Sequence, residues 1–481
     1  MTDRLILSGG FVVDGSGAAP VRADLLIEGG RIAAIGPGGA MPAGVPVQDV
    51  AGRMVAPGFI DSHTHDDGYL LAHPDMVPKV SQGITTVVTG NCGISLAPLV
   101  RTDVPQPLDL LGPAALFRFG SFGAWMDALR QAPAAVNVVP LVGHTTLRVA
   151  VMDDTARVAT AAEMARMQAL LTEALEAGAF GMSTGTFYPP AAHASTEEII
   201  AVGTPMRTLG GLYATHLRDE TDHIVPAMEE ALQIGRALDC LVVFSHHKLA
   251  GSRNHGRSRE TLALLDDAAR LQPVCLDCHP YPATSTMLRL DRVRIARRTM
   301  ITWSDGHPAA QGRDFADVQA EWGLDDQRTL ARLAPAGAIY FLMDEADVER
   351  IMCHPLAMVG SDGLPFDPHP HPRQWGTFTR VLRTLVREQG VLPIEAAVHK
   401  MTGLAARHYG LHDRGLLRPG YRADVVVFDA VRVTDTATFE RPVQASGGID
   451  GVWVNGQRVW DGRGPTGARP GEVLSRGAAP A

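Results

Sequence analysis

The sequence predicts an α/β protein: a parallel (β/α)8 barrel of the TIM type over residues 56–414. A small β-domain built from both chain termini and an insertion between the seventh and eighth strands complete it. Three observations carry this. Eight strand-like runs, at 55–63, 85–89, 136–142, 179–184, 212–216, 241–246, 274–279 and 357–361, alternate with helix-like segments, the pattern of a parallel barrel. The two ends of the chain are rich in short strands and Gly turns but not in helices. The interval between the last two runs is far longer than the others, which marks an insertion over about residues 286–345.

At 481 residues the chain has room for a barrel with additions. Its 43 basic and 52 acidic residues give a net charge of −9, so it carries no basic footprint for nucleic acid. No run of about 18 apolar residues occurs, so no membrane span is expected. The apolar Leu5-Ile6-Leu7 is broken at once by Ser8-Gly9-Gly10, too soon for a signal peptide. Five cysteines, few and odd in number, suit a reduced cytoplasmic protein better than a disulfide scaffold.

In chain order, residues 4–52 alternate Leu5-Ile6-Leu7, Phe11-Val12-Val13-Asp14, Asp24-Leu25-Leu26-Ile27 and Arg31-Ile32-Ala33-Ala34-Ile35-Gly36 with turns. The texture returns in Asp424-Val425-Val426-Val427-Phe428-Asp429 and in Gly451-Val452-Trp453-Val454. Residues 1–55 and 415–481 are therefore expected to form one discontinuous β-domain. Its last stretch, 462–481, is rich in Gly, Pro, Ala and Arg and is expected to be a loosely attached tail. Within the barrel the clearest helix is Thr160 to Ala177, with Met164, Met167, Leu170, Leu171, Ala174 and Leu175 near helical spacing. The insertion holds two amphipathic stretches, around Asp314–Trp322 and Asp326–Leu333.

Barrels of this kind collect their chemistry at the C-terminal ends of the strands. The first strand ends on His63-Thr64-His65, and residues i and i+2 of a strand share a face, so both imidazoles can reach one metal ion. Strand two runs into Asn91-Cys92-Gly93, strand five ends on Thr215-His216, strand six on Ser245-His246-His247-Lys248, and strand eight on Ser361-Asp362-Gly363. Singly, each has a bland reading: a buried thiol, a core histidine, an aspartate turning before glycine. Six metal-type side chains on one rim are what point to a metal centre.

These landmarks resemble the amidohydrolase superfamily and, within it, the N-acyl-D-amino-acid deacylase (D-aminoacylase) group. The resemblance covers essentially the whole chain. It rests on Gly58-Phe59-Ile60-Asp61-Ser62-His63-Thr64-His65, Gly90-Asn91-Cys92-Gly93, Thr215-His216-Leu217-Arg218-Asp219-Glu220, Ser245-His246-His247-Lys248, Pro280-Tyr281-Pro282 and Gly360-Ser361-Asp362-Gly363. The fourth strand ends Met182-Ser183-Thr184-Gly185, without the lysine of most two-metal amidohydrolases, and the deacylase group is similar in using the strand-two cysteine instead. The resemblance implies a tight Zn2+ site at Cys92, His216 and His246, and a second, weaker metal position among His63, His65 and Asp362. It implies that Asp362 moves the proton in hydrolysis, and that Lys248, Tyr281 and Arg373 meet the substrate carboxylate, with Tyr188 and Ser285 as further pocket residues.

The expected partner is a small N-acyl-D-amino acid, with neither nucleic acid nor membrane; the oligomeric state is left open. Met287 and Leu288 favour neutral, hydrophobic D-side chains. Arg289, Arg292 and Arg294 offer the alternative, a cation for D-glutamate or D-aspartate. A cyclic amidase of the dihydroorotase or hydantoinase kind is disfavoured by the missing lysine and by Cys92. A non-catalytic scaffold is disfavoured by the intact ligand set. Thr145 and Asp153 depart from the group's usual glycines near the barrel mouth, and Cys275-Leu276-Asp277-Cys278 reads as strand packing rather than a zinc knuckle.

Overall fold

The computed structural model describes residues 4–477, so residues 1–3 and 478–481 of the expected terminal domain lie outside the described residues. Both ends of the chain enter one eight-stranded sheet. Arg4–Val12 pairs with Val21–Glu28 on one side and with Met54–Pro57 on the other. Val425–Phe428 then inserts between Met54–Pro57 and Ile449–Val454, so late and early strands interleave. The two-residue period of these strands turns Leu7, Leu25, Ile27, Val55, Val425 and Val427 into one apolar face.

Gly58 is the hinge between sheet and barrel. A Cβ there would lie 2.2 Å from the Thr85 side chain, so only glycine lets the chain pass from Met54–Pro57 into the first barrel strand. The barrel strands are β1 (Phe59–Asp61), β2 (Ile84–Thr89), β3 (Asn137–Pro140), β4 (Gly181–Gly185), β5 (Leu212–His216), β6 (Leu241–Phe244), β7 (Val274–Cys278) and β8 (Ala357–Val359). Neighbours from β1 to β3 and from β4 to β8 pair in parallel. Past β3 the chain kinks at Leu141, and Val142–Gly143 pairs with β4. Between β8 and β1 the ring closes through Ser62 N–H donating to Val359 O at 3.3 Å and a Thr64–Gly363 bridge. Strands buried on both faces explain the apolar runs in β2 and β6.

Ile60, Val88, Val139, Phe180, Val243 and Met358 fill the barrel interior, and Leu404, Ala405 and Tyr409 of helix Gly403–Tyr409 close its N-terminal end. Only the opposite rim is left for chemistry. The expected long helix is Ala161–Ala177, started by a Thr160/Glu163 capping box and stopped by Gly178 at φ 115°. The insertion holds the two expected helices, Phe315–Trp322 and Asp326–Leu333. It also holds an antiparallel sheet of Ala283–Met287, Ala336–Phe341 and Arg298–Ser304 that the periodicity did not reveal. That sheet leans over the rim and supplies part of the pocket wall. Among the described residues no helix is long and apolar enough to cross a membrane.

The terminal segment differs from expectation. Rather than hanging loose, it runs past the bottom of the barrel: Gly471 N–H donates to Ala134 O, Val138 N–H to Glu472 O and Leu474 N–H to Val138 O, each at 2.9 Å, and Arg476 N–H to Gly178 O at 3.0 Å. Leu474 packs against the interior cluster. Composition suggested mobility, but backbone pairing is indifferent to side chains. Ending the chain at Arg469 is expected to cost roughly 3–6 kcal/mol, about 1 kcal/mol per lost hydrogen bond plus about 1.5 kcal/mol for Leu474. Urea unfolding of the truncated protein checks this; an unchanged midpoint would mean that the segment holds nothing.

Candidate metal centre and substrate pocket

Six donor-type residues reach the rim from five strands, and three of them do so in a rare backbone conformation. Cys92 (φ 52°), His246 (φ 36°) and Asp362 (φ 50°) all lie in the left-handed region. Non-glycine residues there cost about 1–3 kcal/mol each and persist where surrounding structure compels them, commonly at functional sites. Here each turns a side chain inward directly after a strand.

Cys92 Sγ lies 3.3 Å from His63 Nε2 and 3.1 Å from His246 Nε2. Asp362 Oδ1 lies 3.6 Å from His63 Nε2 and 3.3 Å from His65 Nε2. The His216 ring is 4.4 Å from that of His246, centre to centre, and neither of its nitrogens has a hydrogen-bond partner. Two donor groups result, His63–Cys92–His246–Asp362 and His216–Glu220–His246, each with its ligand atoms within 4.8 Å of one another. Five of the six expected donors fall in these groups, while His65 is in neither and meets the cluster through Asp362; the grouping also differs, since His63 stands with Cys92 and His246 belongs to both groups. All six side chains are buried. Orphaned imidazole nitrogens in a dry site are unfavourable, and a cation satisfies them. A thiol, imidazoles and a carboxylate make a donor set suited to zinc. The residues therefore fit the ion that the family resemblance implies.

Two partners of this cluster were missed in the sequence, and a third was one of three candidate arginines. Asp277, inside the Cys275–Cys278 stretch of β7, accepts from His246 N–H at 2.7 Å and lies 3.2 Å from His63 Nδ1. Burial pushes its carboxyl up to about 7. The two-residue period was the available signal, since Cys275 sits in the barrel interior and Asp277 shares its face. Glu220, four residues after His216, lies 2.6 Å from Lys248 Nζ and 3.3 Å from His246 Nδ1. Burial pulls its carboxyl up, yet Lys248 and the histidines together hold it well below the usual range. Arg292, one of the three arginines expected as a cation for an acidic side chain, is the third. It comes from helix Leu290–Ile295, is 5% exposed, and lies 3.6 Å from Glu220 and over the Phe187 ring at 4.3 Å.

The pocket is lined by His65, Cys92, His216, His246 and Asp362 on one side and by Tyr188, Lys248, Ser285, Arg292 and Tyr340 on the other. Tyr188 Oη is 3.1 Å from Thr286 Oγ1, and Ser285 Oγ donates to Ala338 O at 3.2 Å. Two residues expected as substrate contacts, Arg373 and Tyr281, are not among those that line this pocket. Arg373 is fully buried behind Asp362, with Nη1 2.7 Å from Oδ2, 3.2 Å from His279 Nε2, and Nη2 donating to Ser285 O at 3.1 Å. A buried guanidinium takes the nearest carboxylate, and that is Asp362. Tyr281 sits between two prolines that fix its loop. Its ring packs edge-on against His371 at 5.1 Å and under Arg380 at 4.7 Å, away from the cavity. Burial raises the Asp362 carboxyl, but Arg373 and then His246 outweigh it and hold the group ionised.

Known proteins are similar to this chain over most of its length. The sequence pattern of the Amidohydrolase family matches residues 46–233 and 245–460. Over 475 residues the chain is 70% identical to N-acyl-D-aspartate deacylase of Alcaligenes xylosoxydans xylosoxydans, covering 98% of this chain and 95% of that protein. A solved D-aminoacylase described with a binuclear metal centre superposes with a TM-score of 0.97 at 56% identity, covering 99% of this chain and 100% of that one. The N-acyl-D-glutamate deacylase of Bordetella bronchiseptica, solved with zinc and a phosphonate mimic of the tetrahedral intermediate, superposes at 0.94 with 48% identity, over 99% of this chain and 100% of that one. With barrel, donor rim and sequence pattern in agreement over most of its length, the chain belongs to the Amidohydrolase family.

Proposed function

We propose that this protein is a zinc-dependent hydrolase of N-acyl-D-amino acids, giving a carboxylate and a free D-amino acid, with acidic side chains, D-aspartate above all, preferred. The hydrolase reading is supported by the donor cluster and by full-length relatives named as D-aspartate, D-glutamate and general D-amino-acid deacylases. The acidic preference is carried by Arg292. Of the three arginines in its segment, Arg294 is mostly exposed and Arg289 is bonded to Asp291 at 3.0 Å, whereas Arg292 faces the pocket. Neither Met287 nor Leu288 lines it; its apolar lining comes from Ile94, Leu110, Phe187 and Leu364 instead. Arg292 and Lys248 share a single carboxylate, Glu220, which leaves one positive charge for a substrate anion.

Zn2+ held by Cys92, His63, His65, His216, His246 and Asp362, with one tight site and a second weaker one, supplies Lewis acidity and lowers the pKa of water towards ~7. The chain's own residues do the rest. Asp362, pinned through Oδ2 by Arg373, presents Oδ1 to the pocket. There it takes a proton from the attacking water and returns it to the amide nitrogen as the C–N bond breaks. Lys248 and Arg292 bind the substrate's carboxylates, while Tyr188 and Ser285 close the wall. In the same reading residues 1–55 with 415–481 form the β-domain and 56–414 the barrel. All five cysteines are free, which suits a cytoplasmic setting.

The test is a side-chain comparison. kcat/KM for N-acetyl-D-Asp should exceed that for N-acetyl-D-Met by at least ~10-fold, about 1.4 kcal/mol in transition-state binding. Arg292→Ala should lower the D-Asp value by roughly 100-fold and leave D-Met within about threefold, since a buried charge pair is lost only for the anion. A wild-type preference for D-Met, or an equal loss on both substrates, would overturn the acidic assignment.

A further inference from the structure

Lys79 is fully buried beneath the donor cluster and takes no part in the chemistry described above. It sits on the short helix Val77–Val80 between β1 and β2. Its Nζ lies 2.9 Å from Asp61 Oδ2, 3.2 Å from Asp66 Oδ2 and 3.0 Å from Ser361 Oγ. Each partner adjoins a donor in sequence: Asp61 precedes His63 by two residues, Asp66 follows His65, and Ser361 precedes Asp362.

The network also ties the backbones together. Asp61 Oδ1 accepts from the backbone N–H of Ser361 at 2.8 Å and faces that of His63 at 3.4 Å. Asp362 N–H in turn donates to His63 O at 2.8 Å. One ammonium thus links the end of β1 to the end of β8. The seam is otherwise held by Ser62, whose N–H and Oγ donate to Val359 O at 3.3 and 2.9 Å, by Ser361 Oγ donating to His63 O at 3.4 Å, and by the Thr64–Gly363 bridge. It is also where Asp362 holds its left-handed φ of 50°, a conformation that needs support from its surroundings. A buried ammonium is unfavourable unless fully paired, and an apolar side chain would pack the same space without that cost. The charge itself is therefore the feature to explain.

We propose that Lys79 is a positioning residue for the hydrolysis: by binding Asp61, Asp66 and Ser361 at once it fixes Asp362 against His63 and His65 across the barrel seam. It touches neither substrate nor reacting atoms. It acts through Ser361 on the orientation of the Asp362 carboxylate, and through Asp61 and Asp66 on the strand end that carries both histidines. The proposal rests on the role given to Asp362 above.

Two variants and three readouts test it. Lys79→Met keeps the length and removes the charge. Ser361→Ala removes the Oγ that binds Lys79, with its longer contacts to His63 O at 3.4 Å and Gly363 N–H at 3.3 Å, and leaves Lys79 paired with both carboxylates, so it is the variant expected to fold without loss. For zinc-loaded, folded protein Lys79→Met should lower kcat by about 30-fold or more, with KM within about threefold, because orientation serves the reacting state more than binding. Ser361→Ala should lower kcat by about fivefold, also at constant KM. Zinc affinity, read by competition with a chelator, should weaken by about tenfold in Lys79→Met, the scale of supporting interactions around metal ligands. If Lys79→Met lowers only the unfolding midpoint, with kcat and zinc affinity within about twofold, Lys79 is structural and the proposal is overturned. Should Lys79→Met not fold, an unchanged kcat in Ser361→Ala overturns it equally. If wild-type protein hydrolyses no N-acyl-D-amino acid, the functional reading fails instead, and the chelator competition still decides whether Lys79 organises the donors.

Discussion

Replacing Asp362 by Asn lowers kcat on N-acetyl-D-Asp by about three orders of magnitude. The side chain keeps its shape but cannot accept a proton at neutral pH, and general acid–base work by a positioned group contributes roughly 10²–10⁴-fold. The substitution has a second consequence. Arg373 is fully buried with its Nη1 2.7 Å from Asp362 Oδ2, and an amide in that place leaves a guanidinium without its counter-charge. Breaking a buried pair in this way costs about 3–5 kcal/mol. The assay therefore measures kcat per folded, zinc-containing molecule, with the unfolding midpoint and zinc content determined on the same sample. A loss of less than tenfold in kcat for such molecules would remove Asp362 from the proton transfers, whatever happens to stability. Arg373→Ala separates the two effects. It does not line the pocket, so its damage should appear in kcat through a misplaced Asp362 and not as a lost substrate contact in KM.

The barrel was legible because its evidence is local. Each of the eight strands falls within the run of apolar residues that announced it, give or take a residue. The first run is instructive. Residues 55–63 read as one strand but belong to two sheets, Met54–Pro57 in the terminal sheet and β1 in the barrel, divided at Gly58. The donors were legible for a related reason, since a strand end fixes where a side chain starts. Where it points is set by neighbours from distant parts of the chain. Tyr281 follows β7 and Arg373 opens the helix Arg373–Arg380 after β8, yet one is held by His371 and Arg380 and the other by Asp362, and neither pairing is written nearby in sequence. Asp277, Glu220 and Lys79 escaped notice for the converse reason. Each resembles an ordinary charged residue until folding brings it against a histidine or a serine from another strand. The terminal segment shows the same limit for backbone, because the amide bonds that hold residues 471–476 leave no trace in composition.

Cys92 offers the cleanest test of the metal centre, being the one soft donor in the cluster. Its Sγ lies between His63 Nε2 and His246 Nε2, at 3.3 and 3.1 Å, so it joins the two sides of the site. In the metal-free chain burial pushes its thiol well above the usual range, whereas a cation beside it favours the thiolate. Removing the sulfur in Cys92→Ala leaves imidazoles and carboxylates, which hold zinc less well than a set containing thiolate. Zinc affinity should fall by at least ~100-fold, beyond the 10–100-fold seen when merely supporting residues around a metal are lost. Hydrolysis should fall in parallel with the zinc retained after dialysis. The left-handed backbone at Cys92 is equally awkward for alanine, so the substitution adds no new strain. Cys240→Ala, at a buried thiol that does not line the pocket, is the control and should keep full zinc. Stoichiometric zinc and full activity in Cys92→Ala would show that the thiol is packing and that the ion is held by the histidines and Asp362 alone.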